Sequence, residues 1–214
     1  MGFFSSLFGG KSEKEREMEA IFEKVNRFLN DDKTQMLAIP EVLRGMYDSA
    51  HVDKVADAVG EFGRDPRNPI PCNGPVGEIT YLSKLVIDTP NGTIPVTFHR
   101  RGSEQVNGRG IDIYEIISYD GFLYDVLYMY MYYTTKSTLC PKGYKLEKSC
   151  IGFRGTSSCN SEFPSNQYQV VIDCAKRILG FPAFDTKLKN LDVEEATKTI
   201  AFCRKVGIDN VRWW

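Results

Sequence analysis

A chain of 214 residues with 42% hydrophobic, 26% charged and 12% aromatic content has an ordinary globular composition, which excludes a collagen, a coiled-coil rod and a fully disordered chain. Twenty-seven Lys and Arg against 28 Asp and Glu leave a net charge of −1, so no whole-molecule field draws it to nucleic acid or an anionic membrane. No run approaches the ~20 apolar residues of a spanning helix, and no basic region precedes the short apolar start, so the expected compartment is the cytoplasm.

The opening stretch, with Phe3, Phe4, Leu7 and Phe8, reads as a flexible apolar leader over 1–11, ahead of a single α+β domain over 12–214. Gly2 and Ser6 fit the loose myristoylation pattern, in which Phe3 sits badly. Gly9-Gly10-Lys11-Ser12 matches only the tail of a phosphate-binding loop, lacking its first glycine and its preceding strand. Residues 12–62 are expected to be helical. Ser12 and Glu15 form a capping box, and Met18, Ile21, Phe22, Val25, Phe28 and Leu29 recur at helical spacing until Asn30-Asp31-Asp32. A second helix is expected around Pro40 to Tyr47 and a third from Ser49 to Phe62. Four prolines between Asp65 and Pro75 then break the chain.

Residues 77–135 are expected to form an antiparallel sheet. Ile79, Tyr81, Leu85 and Ile87 alternate with their neighbours, Thr89 to Gly92 supplies a turn, and Thr93 to Arg100 returns as a strand whose Pro95 suggests a sheet edge. Ile111 to Tyr119 and Phe122 to Tyr133 flank Asp120-Gly121, a two-residue type I′ signal that sets Ile117 opposite Tyr124, Glu115 opposite Val126 and Ile113 opposite Tyr128. Both faces of this hairpin are apolar, so cover on both sides is expected. Residues 136–163 read as loop, with a short strand at Tyr144 to Leu146, and 164–207 as helical. The fold class is therefore α+β, an antiparallel β-meander of four or more strands with N-terminal and C-terminal helices packed on it.

Chemistry is sparse. Six cysteines (Cys72, Cys140, Cys150, Cys159, Cys174 and Cys203) include no C-x-x-C and no short His/Cys spacing, so they read as thiols, with no metal and no cofactor expected. Cys140, Cys150 and Cys159 crowd one loop-rich stretch, where a disulfide would matter in an exported chain. His51 reads as a solvated or capping residue. His99 is the one weak catalytic candidate, as an acid/base or as the partner of a Cys72 nucleophile. Arg100, Arg101 and Arg109 lie among Gly, Ser and Asn, a composition able to cradle an anion. Asp112, Glu115 and Asp125 lie inside apolar strands, and each needs a partner or a solvent-facing position. Tyr124, Tyr128, Tyr130 and Tyr132 form a run suited to an interface or groove.

The leading expectation is a non-catalytic binding module using the tyrosine-rich face and the arginine-rich loop, with a partner protein or a small anionic ligand. The alternatives are a small hydrolase or transferase on an anionic substrate with His99 as acid/base, and a membrane-surface adaptor acting through the Phe-rich leader.

Overall fold

The computed structural model describes residues 10–159, 162–164 and 193–208. The chain is α+β, but its sheet is mixed and strongly curled rather than a pure antiparallel meander. Helices α1 (Glu13–Asn30), α2 (Asp32–Leu37) and α3 (Glu41–Arg44) come first. Strand β1 (Ile70–Pro71) and helix α4 (Gly74–Lys84) follow. The remaining strands are β2 (Leu85–Thr89), β3 (Gly92–Val106), β4 (Arg109–Ser118), β5 (Tyr124–Tyr130), β6 (Tyr144–Leu146) and β7 (Gly155–Thr156), before helix α5 (Val193–Lys205). The strand order is β1-β5-β4-β3-β2-β6, with β7 also paired to β3. The run β2 to β5 is the expected antiparallel core, whereas β1 joins β5 and β7 joins β3 in parallel. No helix among the described residues is long and apolar enough to cross a membrane.

The capping box at the start of α1 is present: Ser12 N donates to Glu15 Oε2 at 2.7 Å and Glu15 N donates to Ser12 Oγ at 3.3 Å. Only the last turns of α1 meet the core, through Val25, Phe28 and Leu29, while every residue from Lys11 to Lys24 is exposed. Ser12→Ala is therefore expected to loosen the outer turns by about 1 kcal/mol without lowering the melting temperature. Amide exchange over residues 13–19 should accelerate roughly fivefold, and a matching global destabilisation would contradict this account.

Several predicted elements are displaced. The strand expected from Ile79 to Ile87 is helix as far as Lys84. Residues 77–83 are all buried, so no polar face marks a helical period, and Pro75 serves at the first turn instead of breaking the chain. The third helix, Ser49 to Phe62, is replaced by turns and bends; Gly60 and Gly63 take positive φ there, and Val59 is exposed. The second is reduced to the single turn of α3, with Pro40 at its N-cap position and no side-chain cap hydrogen bond. Strand β3 does not end at Arg100 but runs to Val106, so the expected arginine loop is mostly strand.

Pro95 does not mark an edge. It is the last residue of the β2 pairing, opposite Val86, in a strand bonded on both sides. At 120–121 the connection is wider than expected, with Ser118 N donating to Leu123 O at 3.0 Å. The predicted register nevertheless matches, because Ile117 opposite Tyr124 leaves the same residue sum. Strand β6 stands where a short strand was expected. The predicted helix after Pro164, with Cys174, lies outside the described residues, and so does the leader up to Gly9.

Two cores result. One packs Tyr114, Ile116, Leu127 and Met129 against α4, β2 and the end of α1. The other packs Ile117, Tyr124 and Val126 against Ala196, Ile200 and Cys203 of α5 and against Phe163.

Candidate binding site

The three strand carboxylates are all buried and all bonded to arginine. Asp112 accepts from Arg100 at 2.8 Å, Asp125 from Arg64 at 2.8 Å and Glu115 from Arg204 at 2.7 Å. A buried charge demands such a partner, and each of these three carboxylates has one.

Glu115 gathers the predicted catalytic candidate. His99 lies opposite it across β3 and β4, with Nε2 3.3 Å from Glu115 Oε2. Tyr124 donates its hydroxyl to Glu115 Oε1 at 2.7 Å, and burial together with that carboxylate pushes the phenol up. His99 is 2% exposed and stacks on Phe163, ring centroids 4.3 Å apart. The cluster fastens α5 to the sheet and is closed to solvent at the imidazole. Cys72 is also fully buried, and burial pushes its thiol well up, away from the thiolate a nucleophile needs.

The three arginines of the expected anion cradle do not converge. Arg100 pairs with Asp112, Arg101 stands exposed at the bulge between Arg100 and Gly102, and Arg109 pairs with Asp57 at 2.6 Å. Arg109 also lies over the Tyr130 ring, 5.9 Å from its centroid.

The tyrosine run divides. Tyr124 and Tyr128 belong to the α5 side, whereas Tyr130 and Tyr132 join an aromatic cluster at the other end of the sheet. Their centroids are 5.5 Å apart, with Tyr47 5.6 Å from Tyr132 and Tyr133 5.7 Å from Tyr130. Tyr132 and Tyr47 then form one wall of a cavity of about 390 Å3 at the start of α4.

Its other walls are Ile39, Leu43 and Met46 from the α2–α3 region and Val76 from α4. Gly74, at φ 76°, brings the backbone close; a Cβ there would stand 2.7 Å from Ile39 Cδ1. Gln35 and Asn73 close the polar end, and they satisfy each other. Asn73 Nδ2 donates to Gln35 Oε1 at 3.0 Å, and Lys136 Nζ donates to Gln35 Oε1 at 2.6 Å and to Asn73 Oδ1 at 3.2 Å. Lys136 also pairs with Asp32, so the corner carries no unbalanced charge. The Tyr47 and Tyr132 hydroxyls, in contrast, make no hydrogen bond among the described residues. Burial and the nearby Tyr132 and Glu78 push the Tyr47 phenol up, which keeps it a donor. No group of His, Cys, Asp and Glu among the described residues is placed to hold a metal.

Sequence reasoning reached Tyr132 but missed Gln35, Ile39, Tyr47, Asn73 and Val76. The local signal was Asn73-Gly74-Pro75, a helix start that reads equally as a break. Comparison with family models, curated proteins and solved structures finds no match to this chain.

Proposed function

We propose that this protein is a non-catalytic binding module, and that its ligand occupies the cavity between Tyr132, Tyr47 and the start of α4. The observation that carries this reading is an apolar chamber of ligand size whose charged and amide neighbours are already paired, leaving two phenol donors unused. A chamber of that kind favours an uncharged molecule with an apolar body and one hydrogen-bond acceptor. Burial of the body supplies the affinity, and a phenol fixes the orientation. The sealed surroundings of His99 and the pairing of Arg100 and Arg109 support binding here over acid/base chemistry on an anion.

Titration with 1-acetylnaphthalene, an apolar bicycle with one carbonyl, tests the reading. Saturable binding is expected, with naphthalene itself several-fold weaker. Ala38→Trp, at an exposed position on the cavity wall, should weaken binding more than about tenfold, or 1.4 kcal/mol, without shifting the melting temperature. Tyr132→Phe with Tyr47→Phe should erase the preference for the carbonyl compound. No saturable binding of either probe, or binding indifferent to Ala38→Trp, would overturn the proposal.

A further inference from the structure

The outer three turns of α1 hold the least explained surface of the molecule. Met18, Ile21 and Phe22 lie along one side of the helix and are 62%, 48% and 72% exposed. They continue the stripe whose inner members, Val25, Phe28 and Leu29, reach the core. A stripe that outruns its own core contact, on turns that no other described element covers, marks a contact surface open to a partner.

Two features narrow what that is. The three side chains present on the order of 400 Å2, about half of what a standard protein interface takes from each partner, so a second copy docked through this face alone would not hold. The polar side of residues 11–24 carries four basic and five acidic residues, which gives no pull towards an anionic surface. Ahead of Lys11 and Ser12, residues 1–10 carry no charged side chain, and the pairs Phe3-Phe4 and Leu7-Phe8 are set off by Ser and Gly. Bulky apolar residues on a background of small uncharged ones suit insertion into the gaps of a loosely packed bilayer, where apolar burial supplies the affinity.

We infer that the outer turns of α1 and the leader before them form a membrane-surface contact selective for loosely packed, uncharged lipid. The contact lies apart from the cavity at α4, so the two stand or fall separately.

Flotation of the full chain with sonicated dioleoylphosphatidylcholine vesicles of about 30 nm tests this. Binding is expected there, at least fivefold weaker on 200 nm vesicles of the same lipid, and unchanged when a quarter of the lipid is phosphatidylserine. Phe22→Asp and deletion of residues 1–9 should each reduce binding about tenfold or more. Phe22→Asp should keep the parent melting temperature, because Phe22 lies outside both cores. Absence of flotation on every vesicle, a requirement for phosphatidylserine, or parent-like binding by both variants would overturn the inference. A concentration-dependent dimer lost in Phe22→Asp, without vesicle binding, would overturn it by assigning the face to a second copy.

Discussion

Asp125→Ala is expected to destabilise the fold by about 3–5 kcal/mol, read as a lower urea midpoint at pH 7.5. Asp125 has no exposed surface, and its partner Arg64 has a side chain only 6% exposed. Arg64 Nε and Nη2 reach Asp125 Oδ2 at 3.0 and 2.8 Å, the Tyr144 hydroxyl donates to the same oxygen at 3.0 Å, and Val126 N donates to Oδ1 at 2.9 Å. Burial carries the carboxyl up to about 6 against the pull of Arg64, so at pH 7.5 it is ionised and the pair is formed. Truncating it leaves a buried guanidinium with Glu61, the Lys142 carbonyl and the face of the Tyr144 ring beside it, and without its fully buried counter-charge. The penalty comes from that stranded charge more than from the lost attraction. Arg64→Met combined with Asp125→Leu should therefore recover most of the loss. A single-variant cost below about 1 kcal/mol would show that Arg64 escapes to water instead.

Glu78→Gln is expected to leave stability nearly unchanged at pH 4.5 and to raise it by about 1–3 kcal/mol at pH 8. Glu78 lies on α4, fully buried. Its Oε2 accepts from the Tyr114 hydroxyl at 2.9 Å, while among the described residues no N–H or O–H reaches its Oε1. Burial first, and then the charge of Asp112, hold its carboxyl well above the ordinary 4.5. A proton on Glu78 removes its repulsion with Asp112 and lets it donate to that carboxylate. Because the folded pKa is raised, the stability tied to this proton is complete below 4.5 and is lost as pH rises through the folded value. Asp125 acts in the same sense between 3.8 and about 6. Glutamine reproduces the protonated carboxyl and does not titrate, so the gap between variant and parent should widen with pH. A gap that is flat from pH 4.5 to 8 would mean that Glu78 is ionised in the fold.

Much of this architecture is legible in the sequence where one local rule acts alone. The Ser12–Glu15 box, the end of α1 at Asn30 and the β4–β5 register all match, as does the demand that Asp112, Glu115 and Asp125 be partnered or exposed. Helix α4 was not legible because burial on every side removes the periodicity that separates helix from strand.

The surroundings of His99 were within reach and missed. Asn107 and Gly108, at φ 51° and 77°, form the two-residue hairpin turn that Asn-Gly announces. Reading it sets Val106 opposite Arg109 and would place His99 against Ile116. Only the bulge at Arg101 shifts the register by one and delivers His99 to Glu115. The cavity was beyond such rules, since its walls come from residues 35–47, 73–76 and 131–132, which no local spacing relates.

The bulge and the length of β3 have one more effect. Past His99, where β7 ends, β3 keeps β4 on one side and has no strand on the other among the described residues. A bare rim of amides and carbonyls is a template on which another chain can stack into a fibril. Here that rim is kinked at Arg101 and carries Arg101, Ser103, Glu104 and Gln105, all exposed, so an incoming strand would meet two charged and two polar side chains over five positions. The arginine-rich composition that suggests a ligand cradle thus also keeps neighbouring molecules from zipping together.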